Sequence, residues 1–404
     1  MNFAGCAENI SLTRRGLLGA AALTGLAGAG LSTSLAFAAE PGYRGDTLVV
    51  LSLRGGFDGL SAIAPIGDPD YYRARPTIGL PKSQVIAGDG TFGLHPALAP
   101  LLPAWQAGQL AAVHAVGQGN PTRSHFAAME AMESAAPGTP IRTGWLDRML
   151  GATGATGPLA GVSMGHAMPA RLFAGPAPAV SMSSIDKFTL AGDSAKRPIA
   201  AALRQMYGDG PALAADRALT ALGAVPKSTA AYPATELGAA LRDVARLIKA
   251  GSGLVAAAVD CGDWDMHDAL GTAVKGQRMY DNLTDVATAL AAFAADLGPG
   301  GMAGVTLLTI SEFGRRVAEN ASRGADHGHG NAMLLLGGGV RGGKVYANWP
   351  GLSPGALVGG DLAVTTDYRS VIGEILRSRC GFGALDAVFP GVRPSSFGLA
   401  AARS

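Results

Sequence analysis

The chain has 404 residues, 48% of them apolar and only 15% charged, with 59 glycines and 24 prolines. Glycine at about 15% is roughly twice its usual share, yet glycine plus proline stays below the roughly 25–30% at which disorder is expected, and the absence of a three-residue period excludes collagen. A net charge of +2 with both signs spread along the chain excludes a nucleic-acid partner held through a basic face, and the length suits one large or two ordinary domains with a substantial core.

The N-terminal segment reads SLTRRGLL from Ser11, with Arg14 and Arg15 ahead of a glycine- and alanine-rich apolar run, Leu17–Ala38, that closes in Ala36-Phe37-Ala38. It resembles a twin-arginine export signal cleaved after Ala38. An uncleaved membrane anchor is the alternative, because the run is long enough for about 30 Å of hydrocarbon. Its glycines and its polar Thr24, Ser32, Thr33 and Ser34 make it weakly hydrophobic, so cleavage is expected. Residues 1–38 are then a signal peptide, the twin-arginine translocase is the export partner, and the mature chain is periplasmic or extracellular. No later stretch reaches the roughly 18 uninterrupted apolar residues of a second span, so no stable membrane span is expected after cleavage. As the resemblance implies, this route carries folded proteins, often with a metal or cofactor loaded. Cleavage removes Glu8, Arg14 and Arg15 and takes the charge to +1; it also removes Cys6, leaving Cys261 and Cys380 as free, buried thiols.

Residues 39–404 are expected to form a single α/β domain. Thr47–Leu53, Leu110–Val116, Leu254–Val259 and Val305–Ile310 are short apolar runs of the kind buried on both faces of a parallel sheet. Leu237, Leu241, Val244 and Ile248 place one apolar face on a helix over 236–250, and Met279, Leu283, Val286, Leu290, Phe293 and Leu297 do so over 277–297. Helices packed on a sheet are the simplest arrangement of these elements. Between about 134 and 195, short strand-like pieces (Gly161–Met164, Ala179–Met182) alternate with turns, which predicts an irregular insertion. The tail from Gly381 is rich in glycine, proline and serine and is expected to wrap the surface.

In a chain so poor in charge, the clustering of acids and histidines locates the chemistry. Asp263, Asp265 and His267 follow the apolar run 254–259, and loops after the carboxyl ends of parallel strands are where ligands bind. Carboxylate oxygen with imidazole nitrogen is a donor set for Zn, Mn or Fe. Glu312 ends the run 305–310, and a polar loop further on carries Asp326-His327-Gly328-His329, its glycine leaving room for an ion or substrate to approach. Asp58 is the one acid of the glycine loop after Leu53, which fits neither a dinucleotide nor a Walker motif, so a carboxylate ligand is the better reading. Arg54 in that loop is placed to pair with an anionic substrate. After Leu110–Val116 come Thr122, Arg123, Ser124 and His125 at the start of a helical pattern. Ser124 or Thr122 there is either an N-cap or a nucleophile beside metal. His95, His114 and His166 have no companion at ligand spacing and read as core or surface residues.

Together LRGGFDGLSAIAP, RSHFAAMEAMES, GWLDRM, GDWDMH, SEFGRR and DHGHGNAMLLLGGGVRGGKVY resemble, in order and across the mature chain, the bacterial domain-of-unknown-function family 1501. The resemblance implies the alkaline phosphatase-like superfamily: a three-layer α/β fold with a mostly parallel central sheet flanked by helices, and one or two divalent ions, Zn, Mn or similar. In a two-metal site the ions lie about 4 Å apart and clamp the attacking and leaving oxygens of a phosphoryl or sulfuryl transfer. Carried onto this chain, Asp58 takes the place of the acid after the first strand, and Ser124, with Thr122 second to it, that of the nucleophile. Asp263 or Asp265 with His267 matches the acid and histidine of one metal. Ser311-Glu312-Phe313-Gly314 stands where an Asp-His-Gly is usual, so Glu312 replaces that pair or the second metal is missing. Gly119 stands where a sulfatase of the formylglycine type has Cys or Ser, leaving Ser124, Thr122 or water to attack.

The expected protein is an exported metal-dependent hydrolase of phosphate or sulfate esters. Asp58, Asp263, Asp265, His267, Glu312, Asp326, His327 and His329 are its candidate metal ligands, with Arg54 or Arg123 on an anionic small-molecule or glycan substrate. The alternative is a non-catalytic envelope protein that binds an anion, a glycan or a partner protein through a degenerate metal site.

Overall fold

The computed structural model describes residues 43–119, 122–136, 138–165, 170–188 and 211–403. The expected signal with Cys6, the Asn120-Pro121 pair and His166 lie outside the described residues. The strands in chain order are β1 (Thr47–Leu53), β2 (Ile63–Ala64), β3 (Gly93–Leu94), β4 (Leu110–Gly117), β5 (Gly161–Met164), β6 (Ala179–Met182), β7 (Ala256–Cys261), β8 (Val305–Ile310), β9 (Asn331–Gly337), β10 (Val345–Tyr346) and β11 (Thr366–Asp367). Nine of them form one sheet in the order β10-β4-β9-β8-β1-β7-β5-β6, with β11 also on β4, while β2 and β3 pair separately. Within the large sheet β9 runs antiparallel to β4 and β8, and the other pairings are parallel.

The apolar strands alternate their side chains between two cores, as the two-residue pleat requires. Val49, Leu51 and Leu53 face the helices Glu236–Lys249 and Arg278–Met302, whose predicted apolar faces are buried there. Leu48 and Val50 face the helices Trp145–Thr153 and Tyr368–Arg379. The result is the expected α/β arrangement, a mostly parallel sheet with helices on both faces. Thr235 caps the helix Glu236–Lys249 by accepting from the Gly238 N–H at 3.1 Å, and Gly298, at φ 63°, breaks the helical path of Arg278–Met302 just before Pro299.

Two segments are more ordered into the fold than composition suggests. Gly161–Met164 and Ala179–Met182, the strand-like pieces of the expected insertion, extend the central sheet from β7 with parallel registers. In the tail, Leu385, Val388, Phe389 and Leu399 are buried in the second core. Cys261 and Cys380 are free thiols, Cys380 buried as expected and Cys261 only half-buried. Among the described residues no helix is long and apolar enough to cross a membrane.

The sheet's polarity decides where the chemistry falls. The carboxyl ends of β1, β4, β7 and β8 and the amino end of the antiparallel β9 all open on one edge, so loops far apart in sequence meet there.

Candidate metal centre

Each loop at this edge is fixed by a distinct device. After β7, Trp264 and Met266 are both 1% exposed, and Phe57 meets the Trp264 ring edge-on with centroids 4.9 Å apart. Burying alternate residues turns the intervening Asp265 and His267 outward together. After β8, residues 314–316 pair with 326–329 as a short ladder: Gly314 N–H donates to His329 O, Gly328 N–H to Gly314 O and Arg316 N–H to Asp326 O, each at 2.9 Å. The glycines make this approach possible. A Cβ on Gly328 would lie 2.3 Å from the Arg315 carbonyl carbon, and one on Gly314 would lie 2.0 Å from Gly330 O. The glycine between His327 and His329 thus serves backbone packing, rather than clearing a path to the imidazoles.

Arg315, buried with 1% exposure, ties three loops to one another. It donates to Gly56 O at 2.7 Å, Ala325 O at 2.9 Å, Trp264 O at 3.0 Å, Gly55 O, and Asp265 Oδ1 at 2.7 Å. A rigid planar fork of donors suits this task, and a lysine has no such geometry.

On this frame His125, Asp265 and His327 bring one ligand atom each within 4.8 Å of one another. His125 Nε2 lies 3.0 Å from His327 Nε2 and 3.6 Å from Asp265 Oδ2, while His327 Nε2 lies 3.1 Å from Asp265 Oδ1. His267 Nε2 shares the same edge, 2.9 Å from His327 Nε2 and 3.0 Å from Asp265 Oδ1. Behind the cluster each imidazole is anchored through its other nitrogen. His125 Nδ1 donates to Glu312 Oε1 at 2.8 Å, His267 Nδ1 to Asp326 Oδ1 at 3.0 Å and His327 Nδ1 to Arg123 O at 2.9 Å. A carboxylate or carbonyl has no proton to give, so each Nδ1 carries one, and in the neutral ring each Nε2 presents a lone pair to the others.

Lone pairs and a carboxylate facing one another at such distances repel unless a cation lies among them. Four-coordinate zinc with bonds of about 2.0–2.1 Å sets its ligands about 3.3 Å apart, and the separations here, 2.9–3.6 Å, bracket that value. Anchoring of the outer imidazole nitrogen is the usual support of a metal-bound histidine. The residues fit a divalent metal of the zinc type.

The carboxylates are held ionised. Partial burial would raise Asp265, but the hydrogen bond and charge of the Arg315 guanidinium outweigh it and hold the group below the usual carboxylate range. Hydrogen bonds from His267 and then Asn320 keep Asp326 below the usual carboxylate range.

Of the residues singled out in the sequence, Asp265, His267 and His327 meet at the cluster, with Glu312 and Asp326 behind its imidazoles. Asp58 lies apart, its carboxylate accepting from Arg75 at 2.5 and 3.0 Å and from Ser61 at 2.6 Å. Burial alone would raise it, and the Arg75 guanidinium holds it below the usual range instead. Asp263, at φ 65°, pairs with Arg278 at 2.9 Å. His329 Nε2 donates to Gln118 O at 2.7 Å. Arg54 pairs with Asp260 and Glu133, and Arg123 pairs with Asp361 at 2.6 Å while its carbonyl serves His327. Ser124 is the N-cap residue of the helix His125–Ser134, with no side-chain capping bond, and Thr122 Oγ1 accepts from the Ser124 N–H at 3.3 Å. The residue that the sequence did not assign is His125. Its one indication was position, directly after the loop from β4 at the ligand-binding edge.

Residues 197–367 match the model of the family described as "Protein of unknown function (DUF1501)", the family that the motifs resemble. No curated protein matches the chain. Among solved structures it is similar to the C-terminal periplasmic domain of EcEptC from Escherichia coli, a complex with Zn, at 9% identity and a TM-score of 0.37 over 74% of each chain. The lipoteichoic acid synthase LtaP from Listeria monocytogenes matches at 10% identity and TM-score 0.35, over 76% of this chain and 70% of that one. Phosphonoacetate hydrolase from Sinorhizobium meliloti 1021, in complex with phosphonoformate, matches at 14% and 0.30, over 68% and 58%. These likenesses are remote and say nothing of this chain's own chemistry.

Proposed function

We propose that this chain is an exported, metal-dependent hydrolase of phosphate or sulfate esters of the alkaline phosphatase-like class. The observation that carries the reading is the convergence of three imidazoles, each anchored through Nδ1, on the Asp265 carboxylate. His125, Asp265 and His327 would hold the ion, with His267 as the further donor on the same edge. When bound, the metal supplies a Lewis acid that offsets charge developing on ester oxygens. Ser124 adjoins the ligand His125 and leaves its hydroxyl uncommitted to capping, which supports it as the attacking group. The amides at the start of the ten-residue helix His125–Ser134 would favour an anionic group beside it. Export rests on the twin-arginine motif of residues 1–38, and the translocase is the partner that motif calls for.

Purified protein loaded with Zn or Mn is expected to cleave members of a nitrophenyl phosphate, phosphodiester and sulfate panel. Ser124→Ala should abolish turnover while retaining the metal, and His327→Ala should lose both. Less than half an equivalent of bound metal in the wild type would sink the proposal. Metal bound at full occupancy with no ester cleaved would favour the non-catalytic reading, in which the centre holds an anion or glycan.

A further inference from the structure

We infer that the centre holds a single divalent ion, and that in this chain the guanidinium of Arg75 stands in for a second metal as the cation that neutralises Asp58. The inference rests on the metal reading above and concerns its stoichiometry.

A two-metal site needs a second set of donors, and the acid at the end of β1 is where such a set would begin. Here both oxygens of Asp58 are taken by Arg75 in a two-pronged pair, and the two side chains are 3% and 0% exposed. Arg75 is held from behind as well, donating through Nε to Val317 O and through Nη2 to Arg316 O, each at 2.9 Å. An ion at Asp58 would have to displace a buried cation whose other hydrogen bonds have nowhere to go. The pair and its backbone acceptors form a satisfied network, the condition under which a buried ion pair persists.

The other acids at this edge are engaged in turn. Arg54 holds Asp260 and Glu133, Arg278 holds Asp263, and Arg123 holds Asp361. Glu312 Oε1 accepts from both Gly55 N–H and His125 at 2.8 Å, and Ser311 donates to its Oε2 at 3.2 Å. What remains is one group of donors around Asp265 and His327. An imidazole nitrogen has one lone pair and cannot bridge two ions, and even with Asp265 bridging through both oxygens the donors of His125, His267, His327 and Asp265 fall short of the three protein ligands that each of two zinc ions needs, while they suffice for one.

The test is a zinc titration of the metal-stripped full chain by calorimetry, with elemental analysis of the dialysed product. One equivalent is expected in the wild type. The double variant Asp58→Leu/Arg75→Met, which removes the buried pair as a unit, should still bind one equivalent, and His327→Ala none. Two equivalents in the wild type would overturn the inference while leaving the metal reading intact. Zinc binding lost in the folded double variant would overturn it as well, by making Asp58 part of the centre. No zinc in the wild type is a different result, the failure of the metal reading itself. Should the double variant not fold, the wild-type stoichiometry decides alone.

Discussion

His125 and His327 face each other Nε2 to Nε2 at 3.0 Å, although 202 residues separate them in the chain. Neither contact could be repaired by rotating a ring, because each ring is held from behind, His125 by Glu312 and His327 by the Arg123 carbonyl. The unfavourable approach of two nitrogen lone pairs is thus built into the fold, and binding a cation would relieve it. This separates the cluster from a chance gathering of surface histidines, whose rings would turn to solvent.

If the cluster binds the metal proposed for it, the anchors have a measurable share in that affinity. Glu312 is 3% exposed and accepts from His125, Gly55 N–H and Ser311. Glu312→Gln keeps the volume but removes the charge and offers an amide donor where His125 needs an acceptor. Loss of such an outer partner typically weakens metal binding about 10–100-fold, and competition with a chromogenic chelator should show a loss in that range. Unchanged affinity would mean that His125 is not a ligand.

Arg315 holds the frame rather than the ion. Arg315→Lys keeps a charge but replaces five fixed donors with three on a flexible stem. It leaves several buried carbonyls among Gly55, Gly56, Trp264 and Ala325 unpaired. Each unpaired buried group costs about 1–3 kcal/mol, so chemical unfolding should reveal a loss of at least about 3 kcal/mol. A loss below about 1 kcal/mol would show that the loops are held by their other contacts.

Much of this fold was legible because its strands are buried on both faces. Thr47–Leu53 and Val305–Ile310 match β1 and β8 to the residue, since these mainly apolar runs end where the chain meets polar loops. The strands β5 and β6, the last two at one end of the sheet, were legible as strands but not as members of it, for the pairing of β5 with β7 lies in parallel register across a long connection. At the site, acids and histidines after strand ends were visible, while the sorting among them was not. Nothing local shows that Arg75 folds back onto Asp58, or that Glu312 reaches His125 and leaves it a free Nε2. Those assignments depend on contacts between residues 17 and 187 positions apart.

The glycine between the two histidines of the DHGHG run gives a prediction that starts from backbone packing. The Gly328 backbone packs against Arg315, where a Cβ would meet the carbonyl carbon at 2.3 Å and its oxygen at 2.5 Å. Both atoms are backbone, so relief requires the ladder that carries His327 to separate from residues 314–316. Overpacking of this kind costs about 1–3 kcal/mol. Gly328→Ala should accordingly lower stability by that amount and weaken zinc binding. Gly262→Ala, at a glycine of the neighbouring loop whose Cβ would meet nothing within 4 Å, should do neither. Calorimetric titration of both variants beside the wild type checks the contrast, and equal behaviour would show that the close approach is not needed.

The two core histidines set a pH dependence whose sign can be worked out. His114 donates through Nε2 to Ile63 O at 3.1 Å and accepts at Nδ1 from the Ala115 N–H at 2.8 Å, so it is satisfied as the neutral ring. His95 is likewise committed, accepting at Nδ1 from the Ala97 N–H and donating through Nε2 to Thr272 O. Burial pushes both from 6.5 down to about 4. Between those values the unfolded chain binds protons that the folded chain refuses, so stability is fully present above about pH 6.5 and is lost as pH falls toward 4. By pH 5 the loss comes to about 2 kcal/mol for each histidine. Urea unfolding of the chelated protein at pH 7.5 and pH 5 measures it, with the metal removed so that its own pH dependence does not enter. His114→Gln keeps a donor and an acceptor without a titrating ring, and its loss between the two pH values should be smaller than that of the wild type by about 2 kcal/mol. The two proteins differ at this one ring, so the difference isolates His114, and an equal loss in the two would show that it is protonated in the folded chain.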